Sequence, residues 1–150
     1  MKEKTSSWYE CKVRLNQLQE NGTIKKVTET YVVESLSYTE AESRITEEIK
    51  LFTSEEFEIK GIKEANFKHV FVEDSEIECQ WFKVKLAFFT IDERSGYEKK
   101  TFSTFLVQGA SLRDAIKKTI SGMEGTMADY EFSQVSETPI FCVYEYDEKK

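Results

Sequence analysis

Trp8-Tyr9-Glu10-Cys11-Lys12-Val13-Arg14-Leu15 returns later in the chain as Trp81-Phe82-Lys83-Val84-Lys85-Leu86-Ala87-Phe88, and this recurrence decides the fold. Around it, Gly22-Thr23-Ile24-Lys25-Lys26 and Tyr31-Val32-Val33 return as Gly96-Tyr97-Glu98-Lys99-Lys100 and Phe105-Leu106-Val107. Ser37 to Ala41 matches Ser111 to Ala115, and Phe57-Glu58-Ile59 matches Tyr130-Glu131-Phe132. The offset is 73 residues at the first strand, 74 from Gly22 through Ala41 and 73 again at Phe57, so the length changes fall between the matched blocks, where loops absorb them.

Within each half the hydrophobic period changes in order. Trp8 to Leu15 alternates, with Tyr9, Cys11, Val13 and Leu15 on one side and Trp8, Glu10, Lys12 and Arg14 on the other, as a half-buried strand does. Asn21-Gly22 and Ser95-Gly96 signal turns into a second strand, so each half opens with a hairpin. A helix follows. Ser37-Tyr38-Thr39-Glu40 has the capping-box pattern, whereas Ser111-Leu112-Arg113-Asp114 ends in a shorter acid for which a reciprocal bond is not expected. The expected buried stripes are Ala41, Ile45 and Ile49 on the first helix, and Ile116 and Ile120, with Ala115 and Met123 alongside, on the second. Strand pattern resumes at Glu56 to Lys60 and, past a break, at Phe67 to Val72; Tyr130 to Val135 and Ile140 to Tyr146 repeat that pair around Pro139.

The expected fold is α+β: two tandem ββαβ(β) repeats, about 8–72 and 81–146, in one domain over 1–150. They form a mainly antiparallel sheet with two helices on one face and a pseudo-twofold relation. At 150 residues such a domain buries roughly two thirds of its unfolded surface without cross-links. Glu73-Asp74-Ser75-Glu76 is the expected boundary between the repeats.

The composition narrows the function. Lys+Arg number 21 against 28 Asp+Glu, a net charge of -7, which disfavours nonspecific binding to duplex DNA. Cys11, Cys79 and Cys142 are odd in number and lack paired spacing, so neither a disulfide framework nor a zinc site is expected, and cytoplasmic residence follows. Met1 to Ser7 has no apolar run of signal-peptide type, and no segment has the length of a membrane span. His69 is the sole histidine, and no phosphate loop, nucleophile elbow or HExxH helix occurs. A noncatalytic protein without cofactor or metal is expected.

The strand side turned away from the helices supplies the candidate binding face: Trp8, Lys12 and Arg14 with Trp81, Lys83 and Lys85, joined by Lys25, Lys26, Lys99 and Lys100 of the hairpin arms. Indoles beside cations suit single-stranded nucleic acid, bases stacking on rings while lysines follow phosphates. An ordinary solvated strand face reads the same way. The first expectation is a binding module for a protein partner or a second copy of itself, anchored by Trp8 and Trp81. The alternatives are a single-stranded nucleic-acid accessory of phage replication, and a small-molecule or nucleotide binder at the junction of the repeats.

Trp8 to Arg14, Gly22 to Glu29, Ser37-Tyr38-Thr39-Glu40-Ala41-Glu42 and Gly125-Thr126-Met127-Ala128-Asp129-Tyr130-Glu131 together resemble a domain-of-unknown-function family of small proteins from gut Bacteroidetes and their tailed phages. The resemblance spans Trp8 to about Tyr144. It implies an intracellular protein without known cofactor, encoded on a phage or mobile element, and supplies no catalytic residues.

Overall fold

Alternation over the first block builds strand β1 (Ser7–Leu18), with Tyr9, Cys11, Val13 and Leu15 buried and Lys12 and Arg14 exposed. The structure, a computed structural model, describes residues 6–51, 53–72 and 80–146. Gly22, at φ 87°, turns the chain into β2 (Ile24–Ser35), which pairs antiparallel with β1 from Ser7 opposite Ser35 to Leu18 opposite Ile24. Helix α1 (Tyr38–Lys50), β3 (Phe57–Ala65) and β4 (Phe67–Phe71) follow. The order then recurs as β5 (Gln80–Ile91), β6 (Glu98–Gly109), α2 (Leu112–Gly122), β7 (Asp129–Glu137) and β8 (Ile140–Tyr144), with Gly96 at φ 76° in the second hairpin.

One sheet carrying both helices was expected; the strands instead form two four-stranded sheets, β3-β1-β2-β8 and β4-β6-β5-β7, and each helix packs on its own sheet. In each, three strands are antiparallel and the edge strand beside β2 or β6 is parallel. The connections explain the difference. Asn66 alone separates β3 from β4, and the shortest common hairpin loop has two residues, so β4 does not fold back beside β3 but pairs with β6. Between β7 and β8 stand Thr138 and Pro139, and proline both fixes φ and lacks the amide a hairpin would use. The compact units are accordingly Met1–Asn66 with Pro139–Lys150, and Phe67–Thr138, rather than the contiguous halves 8–72 and 81–146. The expected boundary at Glu73 to Glu76, like Cys79, lies outside the described residues.

Each unit has its own core. In the first, Tyr9, Cys11, Val13, Leu15, Tyr31 and Val33 meet Ala41, Ile45 and Ile49, the stripe expected for α1. In the second, Phe82, Val84, Leu86, Phe105 and Val107 meet Ala115. The stripe expected for α2 is corrected: Thr119 is fully buried, whereas Ile116 is half-buried and Ile120 is 47 % exposed. Ser111 caps α2 as Ser37 caps α1, and that start directs Ala115, Thr119 and Met123 toward the sheet as Ala41, Ile45 and Ile49 are directed. Thr119 tolerates burial because its hydroxyl donates to Ala115 O at 2.9 Å.

The helix starts set an acid sensitivity. Ser37 Oγ accepts from Glu40 N at 3.1 Å, and Glu40 Oε1 accepts from Leu36 N at 2.6 Å and from Ser35 Oγ at 2.8 Å. Against expectation Asp114 also reaches back, accepting from Ala110 N at 2.9 Å. A Cβ at residue 109 would lie 3.2 Å from Asp114 Oδ2, so Gly109 leaves room for the shorter acid to approach. The Leu36 amide, helped by the Tyr146 hydroxyl, holds the Glu40 carboxyl below the ordinary range; the Ala110 amide, then Lys118, does the same for Asp114. Folding thus lowers both values, so their contribution to stability is complete above the unfolded carboxylate range of about 4 and is lost as pH falls through the lowered values. Urea unfolding between about pH 3 and 7 is expected to show this acid loss, and Glu40→Gln/Asp114→Asn to flatten it. An unchanged slope in the double variant refutes the assignment.

Candidate ligand-binding site

Strand register divides the ten expected face residues. Trp8, Lys12 and Arg14 of β1 share the outward face with Lys26, which pairs with Asn16; Lys25 pairs with Gln17 and points to the helix side. On β5 and β6, Trp81, Lys83 and Lys85 share that face with Lys100, opposite Phe89, whereas Lys99 pairs with Thr90 on the helix side. Lys25 and Lys99 therefore leave the group, because adjacent strand residues alternate. Trp81 leaves it as an anchor: it is 5 % exposed, and its carbonyl accepts from Thr138 N at 3.1 Å and Oγ1 at 2.8 Å. Trp8 is half-buried.

The remaining cations have different company in the two units. Arg14 and Lys26 line a recess of about 150 Å³ with Glu56 and Glu58, and Lys63 pairs with Glu10 at 3.8 Å. In the second unit the partners are rings. Lys83 Nζ lies 5.9 Å from the Phe67 centroid, Lys85 Nζ 4.8 Å from Phe102, and Lys100 Nζ 5.7 Å from Phe89 and 5.6 Å from Phe102. Beside this strip β7 sets Glu131 opposite Ala87 and Asp129 opposite Phe89.

The helix side of the second unit holds an open cavity of about 530 Å³, with Lys68, His69, Thr101 and Thr126 exposed at its rim. Phe71, Phe88, Phe105 and Met123 form its apolar walls; Lys68, His69, Thr101, Ser103 and Thr126 add polar groups. The rings of Phe71 and Phe105 stack at 5.9 Å with 4° between planes, and His69 lies 4.7 Å from Phe71. Gly122 permits this arrangement, since a Cβ there would come within 2.7 Å of the Phe71 ring. At the same places in the first unit stand Tyr31 and Tyr144, stacked at 6.2 Å, together with Ile49 and Leu15. Tyr31 and its match Phe105 are both buried and Tyr144 and its match Phe71 both partly so, whereas Ile49 and Leu15 are buried where Met123 and Phe88 are only partly buried. Burial pushes the Tyr31 and Tyr144 hydroxyls upward in pKa.

Sequence reasoning did not name this cavity; all its lining residues belong to the second compact unit, with Lys68, His69 and Phe71 drawn from the first sequence repeat and the others from the second. The available signal was Gly122, smaller than Glu48 at the same helix place. Other chemistry is sparse. Burial, with Glu10 adding, pushes the Cys11 thiol up to about 12, which leaves it un-ionised and a poor nucleophile. Among the described residues no three His, Cys, Asp or Glu side chains gather as metal ligands, and no helix is long and apolar enough to cross a membrane.

The chain belongs to a family described as a domain of unknown function, DUF4494, which matches residues 7–146. No curated protein matches the chain.

Proposed function

We propose that this protein is a noncatalytic binding module that holds a small, mostly apolar ligand in the cavity of its second unit. The observation that carries the reading is the cavity of about 530 Å³. Its size falls within the range of small-molecule sites, roughly 300–1,000 Å³, and its lining joins aromatic walls to a few polar groups, as such sites do. The two units are read as copies of one duplicated ββαββ element. Arg44 donates to Glu34 O in the first as Lys118 donates to Gln108 O in the second, which supports the duplication. Both copies kept a packed core, and the second opened a cleft at the edge of its own. The free thiols of Cys11 and Cys142 support a cytoplasmic location, and the motif resemblance supports an origin in gut Bacteroidetes or their phages.

Ser103 is half-buried on the cavity wall, so Ser103→Phe fills the space with a side chain. Indole and decanol are expected to raise the melting temperature of the wild type in a concentration-dependent way and to lose that effect in Ser103→Phe. Equal shifts in both proteins, or none in either, sink the reading.

A second reading has one specific observation behind it, the strip of Lys85, Lys100, Phe89 and Phe102, in which Phe102 is 50 % exposed. Lysines over rings offer single-stranded nucleic acid a stacking surface beside phosphate-binding charge. The neighbouring Glu131 and Asp129 oppose it, which ranks it second. Oligo-dT binding that weakens as salt rises, and weakens by about 1–3 kcal/mol in Phe102→Ala, is its expected result. Absence of binding at low salt removes it.

A further inference from the structure

The geometry points to an amphiphilic anion as the ligand: an apolar body between Phe71, Phe105 and Met123, and one anionic group, a carboxylate in the simplest case, held by Lys68 and His69. This rests on the cavity reading and adds the ligand's charge to it.

The lining is electrostatically selective. The chain has more acids than bases, 28 against 21, yet no carboxylate is among the lining residues described, and the lysine present is Lys68. A cavity cut without regard to charge from so acidic a chain would be expected to meet an acid.

Strand geometry supplies the second argument. Neighbouring residues of a regular strand point to opposite faces, so Lys68 and His69 would not line one cavity together. The β4–β6 ladder shifts register between Phe67, opposite Thr104, and His69, opposite Phe105, which leaves Lys68 as the extra residue of a bulge. A bulge re-aims a side chain, and here both residues line the cavity. On the facing part of β6, Thr101 and Ser103 alternate toward the same space, so their hydroxyls are available to a second oxygen of the anion. The rings accept the chain or ring of the ligand, the ammonium and imidazole its head.

Calorimetric titration with decanoate, decanol and decyltrimethylammonium, each below its micelle concentration, separates the possibilities. The wild type is expected to bind decanoate at least about tenfold more tightly than decanol, the scale of one charge-assisted hydrogen bond, and to bind the cation most weakly. Lys68→Met/His69→Gln should reduce decanoate binding far more than decanol binding, a response that mere loss of structure would not give, and Lys68→Glu should raise affinity for the cation relative to decanoate. Equal affinity for decanoate and decanol, or a decanoate preference that survives in Lys68→Met/His69→Gln, overturns the anionic ligand and leaves the cavity reading standing. If the wild type binds none of the three, or if Ser103→Phe binds them as the wild type does, both fall.

Discussion

Ile45→Ala is expected to destabilise the first unit by about 2–5 kcal/mol, while the matching change in the second unit, Thr119→Ala, costs about 1–2 kcal/mol. Ile45 is fully buried at the centre of the α1 stripe, between Ala41 and Ile49 and within the cluster that includes Val13 and Tyr31. Truncation removes three carbons and leaves a void in a filled interior, so the transfer and cavity costs add. Thr119 has less to lose. Its hydroxyl bonds within its own helix, to Ala115 O, and alanine forfeits that bond and one methyl group. Trp8 stands in the first unit and Trp81 in the second, so variants keeping a single tryptophan report urea unfolding of each. Equal costs at the two positions would falsify the claim that Ile45 carries more of its unit's packing than Thr119 carries of its own.

The same pair shows what was legible in the sequence. Alternation fixed the buried side of β1 and β5, because a period of two has only two phases and one of them is apolar. The first helix was equally plain, since Ala41, Ile45 and Ile49 are apolar at a spacing of four. The second was misread because hydrophobicity selected Ile116 and Ile120, whereas the cap at Ser111 sets the phase and buries a threonine that satisfies its own hydroxyl. Aligning Thr119 with Ile45 through the repeat would have corrected it.

The exchange of β4 and β8 was hidden for another reason. Local pattern identifies a strand, not its partner, and the decisive feature was the length of the links at Asn66 and at Thr138-Pro139. Burial of Trp81 escaped because alternation with Lys83 and Lys85 has the same form whether or not the second face is covered. The cavity escaped because hollows come from what side chains fail to fill, and Gly122 alone hinted at it.

Arg44→Ala is the other change expected to be severe, at about 2–4 kcal/mol, because one guanidinium joins three parts of the first unit. It donates to Glu34 O at the end of β2, donates to Glu145 O at 3.0 Å just beyond β8, and lies over the Tyr146 ring at 4.7 Å. Tyr146 closes the circuit: its hydroxyl donates to Glu40 Oε2 at 2.7 Å, and its amide donates to Glu34 Oε1 at 2.9 Å. Glu34 is buried, so an acceptor stripped of its donor there is not freely rescued by water. Strand β8 pairs only along its β2 edge and is five residues long, which makes this side-chain tie a large share of what holds it. Amide exchange at Cys142 to Tyr144 should therefore accelerate in Arg44→Ala well before the rest of the sheet responds. Lysine is a poor substitute, since a single ammonium does not span two carbonyls as the planar fork does. Lys118→Ala gives the internal comparison: Lys118 reaches Gln108 O at 3.2 Å and Asp114 at 3.0 Å on a more solvated surface, and about 1 kcal/mol is expected there. If Arg44→Ala leaves β8 exchange at the wild-type rate, the strand is held by its backbone pairing with β2 alone, and the three-way tie has no energetic standing.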